Sequence, residues 1–150
     1  MKQKEFISKS IEETQEFAKK FAGRLKPGDI VALYGGLGAG KTAFVQGLAK
    51  GLGYGERVFS PTFIFVRPYK LNSKGKGQRA KINTLYHIDL YRIEKPVELK
   101  SVGIEEFLSD KKAASVIEWP ERIGNLPPGK TIKIKIGAVS ETERKITWSE

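Results

Sequence analysis

The chain has 150 residues, 39% of them hydrophobic, and a net charge of +10. This length and composition predict one globular domain over residues 1–150, and the absence of cysteine excludes a disulfide framework or a thiolate zinc site. No apolar run approaches the length of a membrane span, so a cytoplasmic protein without a membrane partner is expected. The excess of basic residues leaves a polyanionic partner open beside the plain alternative of a basic surface.

Lys4 to Ser8 fits a short edge strand through Phe6. Ser10-Ile11-Glu12-Glu13 has the form of a capping box, in which a hydroxyl and a carboxylate satisfy the first free amides of a helix. That helix is predicted to run to about Leu25, with Phe17, Ala18, Phe21 and Leu25 on one face. Pro27-Gly28 ends the connection. Asp29 to Tyr34 reads as a buried strand, and Ala43 to Ala49 as a helix stopped by Gly51 and Gly53.

Between that strand and helix lies Gly35-Gly36-Leu37-Gly38-Ala39-Gly40-Lys41-Thr42, which fits G-x-x-x-x-G-K-[ST], the phosphate-binding P-loop. Triphosphate oxygens are held by a ring of backbone N–H groups, which a loop can converge on one point only when most side chains are missing. The following helix adds unpaired N–H groups and a positive dipole end. Nucleotide contact is therefore expected from Gly35 to Ala43. Lys41 should bridge the terminal phosphates, and the Thr42 hydroxyl should ligate Mg²⁺. Strand, loop and helix in that order are the context the motif needs.

Arg57-Val58-Phe59 leads through Ser60-Pro61-Thr62-Phe63 into Ile64-Phe65-Val66, read as a strand with a proline-pinned bend at its start. Lys70 to Lys81 is basic, glycine-rich and free of acids, and reads as the tip of a long hairpin. Its return strand is Leu85 to Tyr91. The side-chain period of two puts His87 and Asp89 on one face, Ile88 and Leu90 on the other. Pro96 opens a short helical stretch, Val97 to Leu99; Gly103 breaks it, and Ile104 to Leu108 forms another. Ala113 to Trp119 has the continuous apolar character of a buried parallel strand ending in an acid. Thr131 to Ile136 and Arg144 to Trp148 alternate cleanly, as an antiparallel hairpin with one wet face does. The pattern predicts an α/β, P-loop NTPase-like three-layer fold: a mixed, largely parallel central sheet and an antiparallel C-terminal hairpin.

Ligands of open α/β sheets lie beyond the carboxyl ends of the strands, where Asp89, Glu118 and Thr62 are expected. A P-loop ATPase needs one carboxylate near Mg²⁺ and another group to orient or deprotonate water. Thr42 and one carboxylate suffice for Mg²⁺, which retains several waters. His87, the sole histidine, is either near the chemistry or a hydrogen-bonded structural ring. Trp119 is either core or part of the site.

The P-loop, then Ser60-Pro61-Thr62-Phe63, then LYHIDLYR (85–92), then Ile104-Glu105-Glu106-Phe107, then Val116-Ile117-Glu118-Trp119-Pro120 resemble the TsaE (YjeE) family, over nearly the whole chain. The resemblance implies an ATP/ADP- and Mg²⁺-binding protein with weak intrinsic ATPase activity. It implies a role in threonylcarbamoyl modification of adenosine 37 in ANN-decoding tRNAs, beside a TsaD–TsaB complex through which tRNA is met indirectly. It implies that Ser60, Pro61 and Thr62 form a nucleotide-sensing switch, that Asp89 is catalytic, that Glu118 holds Mg²⁺ with Thr42, and that Trp119 lies near the site; His87 beside Asp89 is a candidate supporting residue on its place in the strand alone. Gly36 and Ala43 depart from the acid and the hydroxyl common there. Two other readings stand beside it: a P-loop small-molecule kinase, which should carry a lid with arginines, and a basic RNA-binding module, which should cluster exposed aromatics among its lysines.

Overall fold

The computed structural model describes residues 3–36, 38–58, 65–72, 81–95, 103–127 and 130–149. In chain order these form β1 (Gln3–Ser8), α1 (Ile11–Phe21), β2 (Ile30–Tyr34), α2 (Lys41–Gly51), β3 (Val66–Lys70), β4 (Thr84–Asp89), α3 (Ile104–Leu108), β5 (Ala113–Glu118), β6 (Thr131–Ala138) and β7 (Arg144–Ser149). Leu37, the segment Ser60-Pro61-Thr62, most of the basic hairpin tip and the helical stretch after Pro96 lie outside the described residues.

The strands make one seven-stranded sheet in the order β1-β7-β6-β2-β5-β4-β3. Its centre, β6-β2-β5-β4, is parallel. Antiparallel strands flank it, β7 and β1 beyond β6 and β3 beyond β4. The position of β5 explains its sequence: with a strand on each side and both faces covered, all six of its residues are buried. The C-terminal hairpin follows the alternation rule. Ile134, Ile136, Ile146 and Trp148 enter the core, while Lys133 and Lys135 face water.

α1, the turn that follows it and α2 cover one face, packing Phe21, Leu25, Phe44 and Leu48 against Val31, Leu33, Leu85 and Val116. On the other face Ile93, Ile104 of α3 and neighbouring described chain pack on Ile30, Ile88 and Ile117. Asp89 and His87 thus share the face beneath α1 and α2, opposite Ile88 and Leu90, as the period of two requires. α1 can approach α2 closely because α2 lacks side chains where they meet. A Cβ on Gly47 would stand 2.1 Å from the Gln15 carbonyl oxygen, and one on Gly51 2.4 Å from that of Lys19.

Several boundaries differ from the sequence reading. Gly51 is the last residue of α2 and serves this helix contact, while Gly53, at φ 99°, turns the chain beyond it. α1 ends at Phe21, and a 3₁₀ turn over Ala22–Arg24 completes it. Ser10 Oγ accepts from the Glu13 N–H at 3.0 Å as expected, but the Glu13 carboxylate accepts from the Lys9 N–H, one residue earlier than in a standard box. β3 runs later than expected and includes Pro68, which the outermost strand tolerates because one of its sides needs no ladder partner. No described helix is long and apolar enough to cross a membrane.

Candidate functional site

Three adjacent parallel strands end together. Leu33 of β2 is paired with Glu118 of β5, and Glu118 with Asp89 of β4. The loop after β2, Asp89 and Glu118 therefore meet at the carboxyl edge of the sheet, where open α/β folds bind ligands. A cavity of about 880 Å³ opens there, a size that suits a nucleotide. Its lining includes Lys41, Thr42, Asp89, Glu118, Trp119 and Arg144.

The loop glycines divide the work between space and backbone shape. Gly38 and Gly40 have φ of 74° and 100°, which side chains resist. Gly35 is needed for room, since a Cβ there would lie 2.7 Å from the Ile136 carbonyl oxygen. Gly36 meets neither requirement. Gly40 caps α2, so Lys41 and Thr42 occupy its first turn, where free amides and the dipole favour an anion. Ala39 and Ala43 are buried beside them.

Lys41 is only 6% exposed, yet its Nζ has no hydrogen-bond partner among the described residues. It rests 3.9 Å from the centre of the Trp119 ring. Burial pushes the ammonium below the ordinary lysine range, against the opposing pull of Glu118, Asp89 and Glu121. Trp119 is the one non-glycine residue with positive φ among those described, at 58°. Holding a side chain in this left-handed region costs on the order of 1–2 kcal/mol, and Pro120 then starts a 3₁₀ turn. Tyr91 packs on the indole, with ring centres 5.1 Å apart.

The two acids have different surroundings. Asp89 is half-buried, and burial raises its carboxyl above the usual range, opposed mainly by the hydrogen bond that Oδ1 accepts from the Tyr91 N–H at 3.0 Å. That bond fixes one oxygen and so orients the other. Glu118 is buried, and its Oε2 lies 2.6 Å from His87 Nε2. His87 is fully buried and its Nδ1 lies 3.0 Å from the Tyr69 hydroxyl. The histidine is thus a hydrogen-bonded buried ring that also touches an acid of the site.

Arg144 and Tyr69 escape a sequence reading. Arg144, the first residue of β7, donates from one guanidinium nitrogen to the Gly38 carbonyl at 3.2 Å and from the other to Ser140 and Glu143 carbonyls. No local signal marks it, because its place follows from β7 lying beside β6 and β6 beside β2. Tyr69 meets His87 only through the register of β3 and β4.

These residues fit a magnesium nucleotide. A buried ammonium at the start of a helix, with no hydrogen-bond partner among the described residues, is a counter-charge suited to phosphate. No group of three or more His, Cys, Asp or Glu suited to a metal exists among the described residues. Mg²⁺ needs no such group, since it takes one or two protein oxygens and completes its shell with phosphate and water. Thr42 with Glu118 or Asp89 supplies hard oxygen donors of that kind.

The family model for TsaE, "Threonylcarbamoyl adenosine biosynthesis protein TsaE", matches residues 8–146. The chain is similar to the tRNA threonylcarbamoyladenosine biosynthesis protein TsaE of Bacillus subtilis strain 168, 36% identical over 149 residues, covering 99% of this chain and 87% of that protein. It is 39% identical over 139 residues to the protein of that name from Rickettsia bellii, covering 92% of this chain and 89% of that one. The crystal structure of Bacillus subtilis YdiB superposes with a TM-score of 0.76 at 33% identity, over 98% of this chain and 84% of that one. On the family match, the identities and the shared fold, this chain belongs to the TsaE family.

Proposed function

We propose that this protein binds MgATP at the loop before α2 and hydrolyses it slowly, in the service of threonylcarbamoyl modification of adenosine 37 in ANN-decoding tRNAs, acting with a TsaD–TsaB-type complex. The observation that carries the nucleotide reading is Lys41: an ammonium kept buried, without a hydrogen-bond partner among the described residues, beside a cavity that Asp89 and Glu118 also line. The names borne by the relatives support the tRNA part.

In this reading the amides of Gly38 to Thr42 and the Lys41 ammonium bind and orient the phosphates. Thr42 and Glu118 would hold Mg²⁺, which supplies charge neutralisation on the phosphate oxygens. Asp89, made more basic than an exposed aspartate by its burial, orients the attacking water. As the water oxygen bonds to the γ-phosphorus and the bond to the β–γ bridging oxygen breaks, Asp89 accepts the proton and ADP departs. The Ser60-Pro61-Thr62 segment would sense which nucleotide is bound and pass that state to the partner.

The test is a phosphate balance on the purified protein with MgATP. Free phosphate released one for one with ADP supports the ATPase; a phosphorylated small molecule formed in place of phosphate would replace it with a kinase.

A further inference from the structure

A buried chain of hydrogen bonds runs from the sheet edge to the site. The Tyr69 hydroxyl of β3 lies 3.0 Å from His87 Nδ1, and His87 Nε2 of β4 lies 2.6 Å from Glu118 Oε2 at the end of β5. All three side chains are at least nine-tenths buried. For a neutral imidazole, chemistry fixes the direction of the bonds. A carboxylate only accepts, so Nε2 carries a proton. With Nε2–H facing Glu118 in a neutral ring, Nδ1 is an acceptor and the Tyr69 hydroxyl donates to it. The other tautomer would set a nitrogen lone pair against a carboxylate oxygen at 2.6 Å. Tyr69 is itself braced, its ring 4.6 Å from that of Tyr54 just beyond α2.

We propose that Tyr69 and His87 are positioning residues: Tyr69 sets the tautomer and plane of His87, and His87 holds the Glu118 carboxylate in place beside Lys41. Without that bond no hydrogen bond among the described residues would fix the Glu118 carboxylate, whose charge acts on both Lys41 and Asp89. This proposal rests on the reading of Glu118 as an Mg²⁺-facing acid. An imidazole oriented on one side and donating to a carboxylate on the other is a common way to fix an acid that serves a cation.

The chain has a single histidine, so one imidazole appears in a long-range ¹H–¹⁵N spectrum of the full-length protein. The expected spectrum has one protonated nitrogen, Nε2, with a far-downfield proton, and one bare nitrogen, Nδ1. Tyr69→Phe, which keeps the ring packing, should move Nδ1, and Glu118→Gln should bring the Nε2 proton upfield. A proton on Nδ1, or a ring indifferent to both changes, overturns the proposal. Calorimetry with a non-hydrolysable ATP analogue gives the functional arm. Tyr69→Phe and His87→Ala should weaken the Mg²⁺-dependent part of affinity about tenfold and leave affinity in EDTA within about twofold. His87→Gln, which retains a donor toward Glu118, should recover part of it. The expected spectrum together with a Glu118→Gln variant that keeps full Mg²⁺-dependent affinity would overturn the metal reading of Glu118, and with it the functional role of the relay. A variant that loses affinity equally with and without Mg²⁺ would make the relay a matter of packing.

Discussion

Replacing Lys41 by methionine should stabilise the nucleotide-free protein and abolish its response to nucleotide. Withdrawing an ammonium from water costs several kcal/mol even after the surroundings relax. The Trp119 face returns about 2 kcal/mol of that, as a desolvated cation–π contact does, and Glu118 and Asp89 return a further part through their charge. Burial nonetheless has the largest influence on Lys41, holding its pKa down, so the cost exceeds the return; replacing a buried charge by an apolar side chain of similar volume commonly gains about 1–2 kcal/mol or more. Methionine keeps most of the buried aliphatic stem. For a chain of this size the gain corresponds to a rise in melting temperature of about 2–8 °C. Calorimetric melts without nucleotide should rank Lys41→Met above the wild type. Nucleotide at about a hundred times its Kd adds about 2.7 kcal/mol to the wild type alone, reversing the order. The sign with pH follows. A lysine whose folded pKa is depressed favours the fold above its unfolded pKa and loses that stability as pH falls through the folded value. The advantage of methionine is therefore largest at neutral pH and narrows as the solution becomes alkaline. A lower melting temperature for nucleotide-free Lys41→Met, or a retained nucleotide shift, would refute this reasoning.

Asp89→Asn should slow hydrolysis about 10²–10⁴-fold while nucleotide affinity, followed by calorimetry, changes little; equal loss of both would make Asp89 structural. Because the folded carboxyl is raised, its contribution to stability is lost as pH rises through the folded value. Asp89→Asn should therefore melt higher than the wild type at neutral pH, with the gap closing toward pH 4. Gly47→Ala drives a methyl into the Gln15 carbonyl and should cost about 1–3 kcal/mol or more in denaturant unfolding, with looser nucleotide binding because α2 carries Lys41 and Thr42. Arg144→Ala removes the tie from β7 to the Gly38 carbonyl and should weaken nucleotide binding about 3–10-fold, the loss of one charge-assisted hydrogen bond partly replaced by water; unchanged affinity would leave that tie without a part in binding.

Elements set by local pattern were legible in the sequence. β2, the loop and α2 carry their signals within a few residues, and β5 declares its double burial by having no exposed position. The same logic placed Asp89 and Glu118 at the carboxyl ends of their strands, as polar residues closing apolar runs. Features made by distant pairing were not legible. β3 was misplaced because its extent is set by pairing with β4, and it runs on through Pro68, a residue strands accept mainly at an edge. Gly47 is silent in the sequence, and Gly51 reads as a helix stop until α1 is laid across them. Arg144 reaches Gly38 from 106 residues away in sequence, and His87 finds its partners 18 and 31 residues off, separations over which no periodicity carries information. Trp119 could be placed near the site but not on the lysine, because that contact depends on a backbone conformation tryptophan rarely takes.

The central claim, that this site turns over ATP for tRNA modification, is tested most directly by multiple-turnover threonylcarbamoylation of an ANN-decoding tRNA by a TsaD–TsaB pair. The reaction is run with this protein, without it, and with Lys41→Met in its place. The account predicts repeated rounds, and faster ATP hydrolysis in the presence of the pair, only with the wild-type chain. Rounds that continue without the protein, or equally well with Lys41→Met, would contradict it.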